Sequence, residues 1–144
     1  MDDPTQFCTF HLDRFLFGVD VRQVQEVIRS LKLTRVPLAP EVISGLINLR
    51  GEIVTAIDLR RRLELPPRPA DVEPMNVVVQ AGAEAVSLLV DAIGAVVKVE
   101  PDAFEKPPET LTGVARDLIL GAYKLKDRLL LVLDVEKAIQ GAAV

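Results

Sequence analysis

The sequence has no tryptophan, one cysteine, one histidine and only 4% aromatic residues. Each shortage removes a class of function. A lone thiol, Cys8, cannot form an internal disulfide and suits a reducing compartment. A zinc site takes about four nitrogen or sulfur ligands, or three and a water, which one His and one Cys cannot supply. Cys8 and His11 stand three apart in an apolar run, so on a strand they face opposite ways and make no nucleophile–base pair. The phosphate-cradling, nucleophile-elbow and zinc-helix motifs are all missing. Paired-carboxylate glycosidase sites normally lie in aromatic-rimmed grooves, for which the residues are lacking. Long apolar runs are absent too: the longest pure aliphatic stretch, 129–133, is far short of the ~20 residues of a membrane helix. The start, Met1-Asp2-Asp3-Pro4, shows no secretory signal. Basic charge is scarce, with a net charge of −4, whereas a nucleic-acid binder offers a basic face. The one basic run, Arg60-Arg61-Arg62, reads as the solvated face of a short helix. Catalysis, cofactors, metals, nucleic acid and direct membrane insertion are therefore not expected.

What the chain has is aliphatic bulk. Apolar residues make up 49% of its 144 positions, and the core must be built from Val, Leu, Ile and Ala. Branched side chains favour pleated sheets over helices, which points to β structure. Short apolar segments separated by turn residues predict strands at 6–12, 15–20, 26–28 and 31–36, with a brief helical turn at 21–24 and another at 40–44. The clearest hairpin joins 46–49 to 53–57 through Arg50-Gly51, where glycine supplies positive φ. Asp58 follows as the cap of a helix over 59–63. A proline-rich segment at 64–74 reads as a linker, and 101–108 as a second loop.

The second half repeats this plan. Residues 121–139 align without gaps on 45–63, so that Gly121 meets Gly45, Lys126 meets Arg50 and Asp134 meets Asp58. Earlier, Leu88-Leu89-Val90-Asp91 resembles Phe17-Gly18-Val19-Asp20. Asp20, Asp58, Asp91 and Asp134 thus read as caps and turn formers. Two halves, each with about five short strands and a terminal helix, predict an all-β protein of two small barrels side by side.

The stretch Ile43-Ser44-Gly45-Leu46-Ile47-Asn48-Leu49-Arg50-Gly51-Glu52-Ile53-Val54, preceded by Thr34-Arg35-Val36-Pro37 and followed by Ile57-Asp58-Leu59-Arg60, resembles the CheW family of bacterial chemosensory coupling proteins. Gly18-Val19-Asp20, Val24-Gln25-Glu26-Val27, Val90-Asp91 and the run from Asp127-Arg128-Leu129 to Glu136-Lys137 extend it over residues 7–139. The resemblance implies one CheW-like domain over 1–144, made of two five-stranded SH3-like β-barrels with short helices, one of them C-terminal. The approximate subdomains are 6–65 and 75–140, with strands free to cross between them near 66–75. It implies a non-enzymatic adaptor linking chemoreceptor cytoplasmic hairpins to the regulatory domain of the CheA histidine kinase, cytoplasmic and peripheral at receptor arrays. Other CheW-like proteins are further implied partners.

Carried over position by position, the partner-binding residues are Val24, Glu26, Gly45, Arg50 and Gly51, with Glu26 and Arg50 paired as a salt bridge. Gly51 also fits a plain hairpin turn, and Gly45 a close-packing point. Val24, Val27 and Ile43 are expected to line an apolar groove for the receptor. The family often has Pro where Thr55 stands. Rival readings are a divergent copy serving a non-motility pathway or capping arrays, a peptide- or oligosaccharide-binding double barrel, and an enzyme with an unrecognised acidic site.

Overall fold

A computed structural model describes residues 5–29 and 31–140. Ten strands dominate: β1 (Thr5–Leu12), β2 (Phe15–Asp20), β3 (Val24–Ile28), β4 (Ile43–Leu49), β5 (Glu52–Asp58), β6 (Met75–Ala81), β7 (Glu84–Val90), β8 (Ala92–Val99), β9 (Ile119–Lys124) and β10 (Leu129–Leu133). Three short helices, α1 (Leu59–Arg62), α2 (Gly113–Asp117) and α3 (Val135–Ile139), and 3₁₀ turns at Val21–Gln23 and Pro101–Ala103 complete the described chain.

The strands follow from period-two burial. Along β4, Ile43, Gly45, Ile47 and Leu49 are buried while the residues between them are partly or fully exposed. β10 is different, with Leu130 to Leu133 all buried. Its Leu130 and Val132 join one apolar cluster and its Leu131 and Leu133 another. A strand covered on both faces reads as a continuous apolar run, which is what 129–133 shows.

The strands form two five-stranded sheets, one ordered β8-β1-β2-β10-β9 and the other β3-β6-β7-β5-β4. Each has its own interior cluster: Phe7, Leu16, Val99, Tyr123, Leu130 and Val132 in the first, and Ile47, Leu49, Val54, Ala56, Val78 and Leu89 in the second. The largest cluster draws on both sheets, with Phe10, Leu12, Phe17 and Leu131 from the first and Ile57, Val77 and Leu88 from the second.

The two orders are one pattern written twice. Replacing β1, β2, β8, β9 and β10 by β6, β7, β3, β4 and β5 turns the first sheet into the second. Sheet membership therefore does not follow 6–65 and 75–140. Each half keeps its opening hairpin in one sheet and sends its next three strands to the other. The crossings fall between β2 and β3 and between β7 and β8, away from the linker. The exchange places a parallel pair inside each sheet, β2 with β10 and β5 with β7.

Two local expectations change. The strand expected at 31–36 is an irregular segment that touches β4 at one bridge, Thr34 to Leu46. The helical turn expected at 40–44 is a turn at 41–42, and β4 starts at Ile43. Gly45 explains the first, because a Cβ there would lie 2.5 Å from the Thr34 carbonyl oxygen. Only glycine lets the preceding segment lie against β4, held by Thr34 N–H donating to the Leu46 oxygen at 2.9 Å and the reciprocal bond at 2.8 Å. The second half repeats the device at Gly121, where Glu105 and Ala122 exchange the same two bonds.

Candidate functional site

The β4–β5 hairpin turns through Arg50 at φ 53° and Gly51 at φ 88°. Two successive positive φ values match the right-handed twist of the flanking strands. The Gly51 N–H donates to Asn48 Oδ1 at 2.8 Å, which closes the turn. This fixes the backbone under Arg50, whose side chain is 79% exposed.

Arg50 donates from Nη2 to the Glu26 carboxylate on β3. Glu26 is only 16% exposed at its side chain, so the acid is set into the surface and the guanidinium lies over it. β3 and β4 are the two terminal strands of their sheet. The pair therefore ties the first strand to the hairpin that ends the last, across the seam of the barrel. Such a solvent-facing pair contributes about 0–1 kcal/mol to stability, so its geometry matters more than its energy. Exposed Val27 follows Glu26, and exposed Ile53 stands opposite Asn48 in the ladder.

Of the five residues singled out in the sequence, Glu26, Arg50 and Gly51 meet on one surface. Gly45 is buried under the Thr34 segment, and Val24 is half-buried against the main core. The expected groove residues separate in the same way. Val27 is exposed, whereas Ile43 is buried at the far end of β4, in a cleft lined also by Arg35, Glu41, Asp58, Arg61 and Arg68. One exposed apolar side chain carries no signal in the sequence: Val96 on β8, the strand that holds in the first sheet the place of β3 in the second.

The run Arg60-Arg61-Arg62 is not a solvated face. Arg60 is buried at 7% side-chain exposure and donates to Asp91 from Nε at 2.9 and 3.1 Å and from Nη2 at 2.5 Å. Its Nη1 donates to the Pro66 and Pro67 carbonyl oxygens. Arg68 donates to the same Asp91 at 2.9 Å and to the Leu89 oxygen at 3.2 Å. Arg62 donates to the Ala138 and Lys137 oxygens, ending α3 from another part of the chain. Of the three, Arg61 alone, paired with Glu41 and Asp58, behaves as an exposed cation.

The acidic residues divide accordingly. Asp58 and Asp134 accept from the Arg60 and Lys137 N–H groups and cap α1 and α3 as expected, and Asp20 accepts from the Arg22 N–H before the first 3₁₀ turn. Asp91 is a hub at the crossing into β8, accepting from Arg60, Arg68 and the Asp13 N–H. Burial pushes its carboxyl up, but the Arg60 guanidinium, the Asp13 N–H and Arg68 together hold it below the ordinary range. Asp20 is held low chiefly by Arg22, against the effect of burial. Burial, with a smaller push from Asp20, raises the Cys8 thiol, and burial raises the Tyr123 phenol.

Among the described residues, no group of three or more His, Cys, Asp or Glu side chains is placed to hold a metal ion. No helix among them is long and apolar enough to cross a membrane.

Comparison with known proteins agrees with the fold. Residues 6–143 match the CheW-like domain family. The chain is 30% identical over 142 residues to the chemotaxis protein CheW of Treponema pallidum (strain Nichols), covering 94% of this chain and 82% of that one. It is 34% identical over 121 residues to CheW of Bacillus subtilis (strain 168), covering 82% and 76%. The crystal structure of the scaffolding protein TtCheW from Thermoanaerobacter tengcongensis superposes with a TM-score of 0.86 at 28% identity, covering 95% of this chain and 93% of that one.

Proposed function

The chain belongs to the CheW-like domain family, and from that premise we propose that it is a non-enzymatic adaptor that couples chemoreceptor cytoplasmic hairpins to a CheA-type histidine kinase in a cytoplasmic signalling array. The observation that carries this reading is the Glu26–Arg50 pair. A guanidinium is held over a recessed acid on a closed hairpin tip, with Ile53 exposed on the same hairpin. Arginine is one of the residue types in which interface hot spots are enriched. Val24, Gly45 and Gly51 serve it indirectly, through the core under β3, the close packing under β4 and the turn itself.

The adaptor acts by transmission. Two packed barrels deform little, so a small displacement of the receptor hairpin is passed on to the kinase contact. The output is a change in the populations of kinase states, set by how differently the adaptor binds each.

The test is a quantitative pull-down of the full chain with the kinase regulatory domain and a receptor cytoplasmic hairpin from the same source, comparing wild type with Arg50→Ala. Arg50 is solvent-facing, so the variant keeps its circular dichroism spectrum and melting temperature. Its affinity for one partner falls roughly tenfold, the loss expected on truncating an arginine hot spot worth more than about 1 kcal/mol. Binding of neither partner by folded wild type overturns the adaptor role. Unchanged binding by the variant overturns the role of Arg50.

A further inference from the structure

A cavity of about 210 Å³ lies at the end of the first sheet where the parallel strands β2 and β10 begin. Its walls are Phe15 and Leu16 from β2, Leu129 and Leu131 from β10, and Pro108 with Leu111 from the loop before α2. Leu16, Leu111 and Leu131 are buried, so the floor of the cavity is part of the folded interior. The loop wall is fixed by its own bonds. Leu111 N–H donates to the Pro108 oxygen at 3.0 Å, and Arg116 of α2 donates from Nη1 to the Pro108 and Leu111 oxygens at 2.8 and 3.2 Å. An apolar cavity of about 150 Å³ is enough to hold benzene, so this space takes a ring or a short hydrocarbon chain.

The charge around the cavity has one sign. Arg14 and Arg128, both exposed, line it, and no acidic side chain among the described residues does. Among those residues neither arginine forms an ion pair. Arg14 is set over the Phe15 ring instead, its Cζ 5.1 Å from the ring centroid, which orients the guanidinium at the apolar wall. In the gap-free alignment of the two halves Arg128 stands where the first half has Glu52. The shared strand plan therefore does not call for a cation at this place.

We propose that this cavity binds a small monocarboxylate with an apolar tail. The tail fills the space between β2, β10 and the 108–111 loop, and the carboxylate pairs with Arg14 and Arg128. A guanidinium matches a carboxylate in shape as well as in charge. Neither part is sufficient alone: an exposed ion pair contributes little, and a chain of a few carbons buries little area. A bound ligand ties the loop to both strands and stabilises the folded chain by mass action. The site shares no residue with the Glu26–Arg50 surface, so it stands or falls separately from the adaptor reading.

The test is titration of the full chain with octanoate by isothermal calorimetry, with octan-1-ol and acetate as the tail alone and the head alone. Octanoate is expected to bind with a Kd of roughly 0.1–1 mM, in keeping with its ten heavy atoms. Octanol and acetate each bind about tenfold more weakly or worse, the loss of one charge-assisted contact or of the buried chain. At ten times the Kd, octanoate raises the melting temperature by about 3–6 °C. Arg14→Gln and Arg128→Gln each weaken octanoate about fivefold and leave octanol unchanged. In a methyl-labelled sample the Leu16, Leu111 and Leu131 signals move along the titration. Folded wild type that binds no octanoate, or binds octanol as tightly, overturns the proposal. So does affinity unchanged in both arginine variants, or signal changes that leave those three leucines still.

Discussion

Replacing Asp91 with alanine removes the acceptor on which two buried guanidiniums converge. Side-chain exposure is 12% at Asp91, 7% at Arg60 and 10% at Arg68, so neither cation can be rehydrated without movement of the linker. Breaking a buried pair from one side costs about 3–5 kcal/mol. Arg60 keeps the Pro66 and Pro67 carbonyls and Arg68 keeps the Leu89 oxygen, which places this case at the lower end, about 3 kcal/mol. For a chain of this size each kcal/mol shifts the melting temperature by about 2–4 °C, so a fall of roughly 6–12 °C is expected. Urea unfolding followed by circular dichroism measures the loss, provided the m-value is unchanged. Adding Arg60→Met to Asp91→Ala should restore part of it, because a pair removed from both sides leaves no uncompensated charge. If Asp91→Ala alone cost no more than about 0.5 kcal/mol, the value for a surface change, the hub would not hold the junction.

Glu41→Ala, which breaks an exposed pair with Arg61, stays within about 0.5 kcal/mol in the same urea titration. Gly45→Ala, with φ 153° and a Cβ 2.5 Å from the Thr34 oxygen, lowers stability by about 2–4 kcal/mol, whereas Gly51→Ala, with open space around it, costs about 1 kcal/mol; equal losses would refute the close-packing account of Gly45. Asp58→Ala and Asp134→Ala each remove a helix cap and cost about 0.5–2 kcal/mol by thermal unfolding. Acid titration has a determined sign. The Asp91 and Asp20 carboxyls are depressed below their ordinary value of 3.8, so the stability they add is fully present above that value and lost as pH falls through it towards the folded-state values. The urea midpoint of wild type should fall steeply below about pH 4, and that of Asp91→Ala, lower at neutral pH, should fall less.

Much of the fold is legible in the amino-acid order. The hairpin at Arg50-Gly51 and the caps at Asp58 and Asp134 depend on neighbours within three residues in sequence, so local chemistry is sufficient. The duplication shows because each half needs the same glycine, the same turn and the same cap at the same spacing. Arg60 is concealed because its partner lies 31 residues away and its neighbours Arg61 and Arg62 suggest a common fate. The three consecutive arginines point to an acid hub, an exposed pair and the carbonyls that end α3, 75 and 76 residues on. The segment 31–36 has the composition of a strand but occupies one side of β4 at a single bridge, a fact set by the missing Cβ of Gly45.

Side-chain alternation and backbone preferences over a few residues specify most of the strands, the turns between them, the capped helices and the twofold occurrence of the plan. Strand pairing is settled at long range. The aliphatic faces of the two halves are nearly interchangeable, and nothing local distinguishes β2 beside β10 from β2 beside a strand of its own half. That choice is made by closing two barrels at once, with both faces of β10 covered and with Asp91, Arg60 and Arg68 satisfied where the chain crosses. It also sets Glu26 under Arg50, on strands whose neighbours come from both halves.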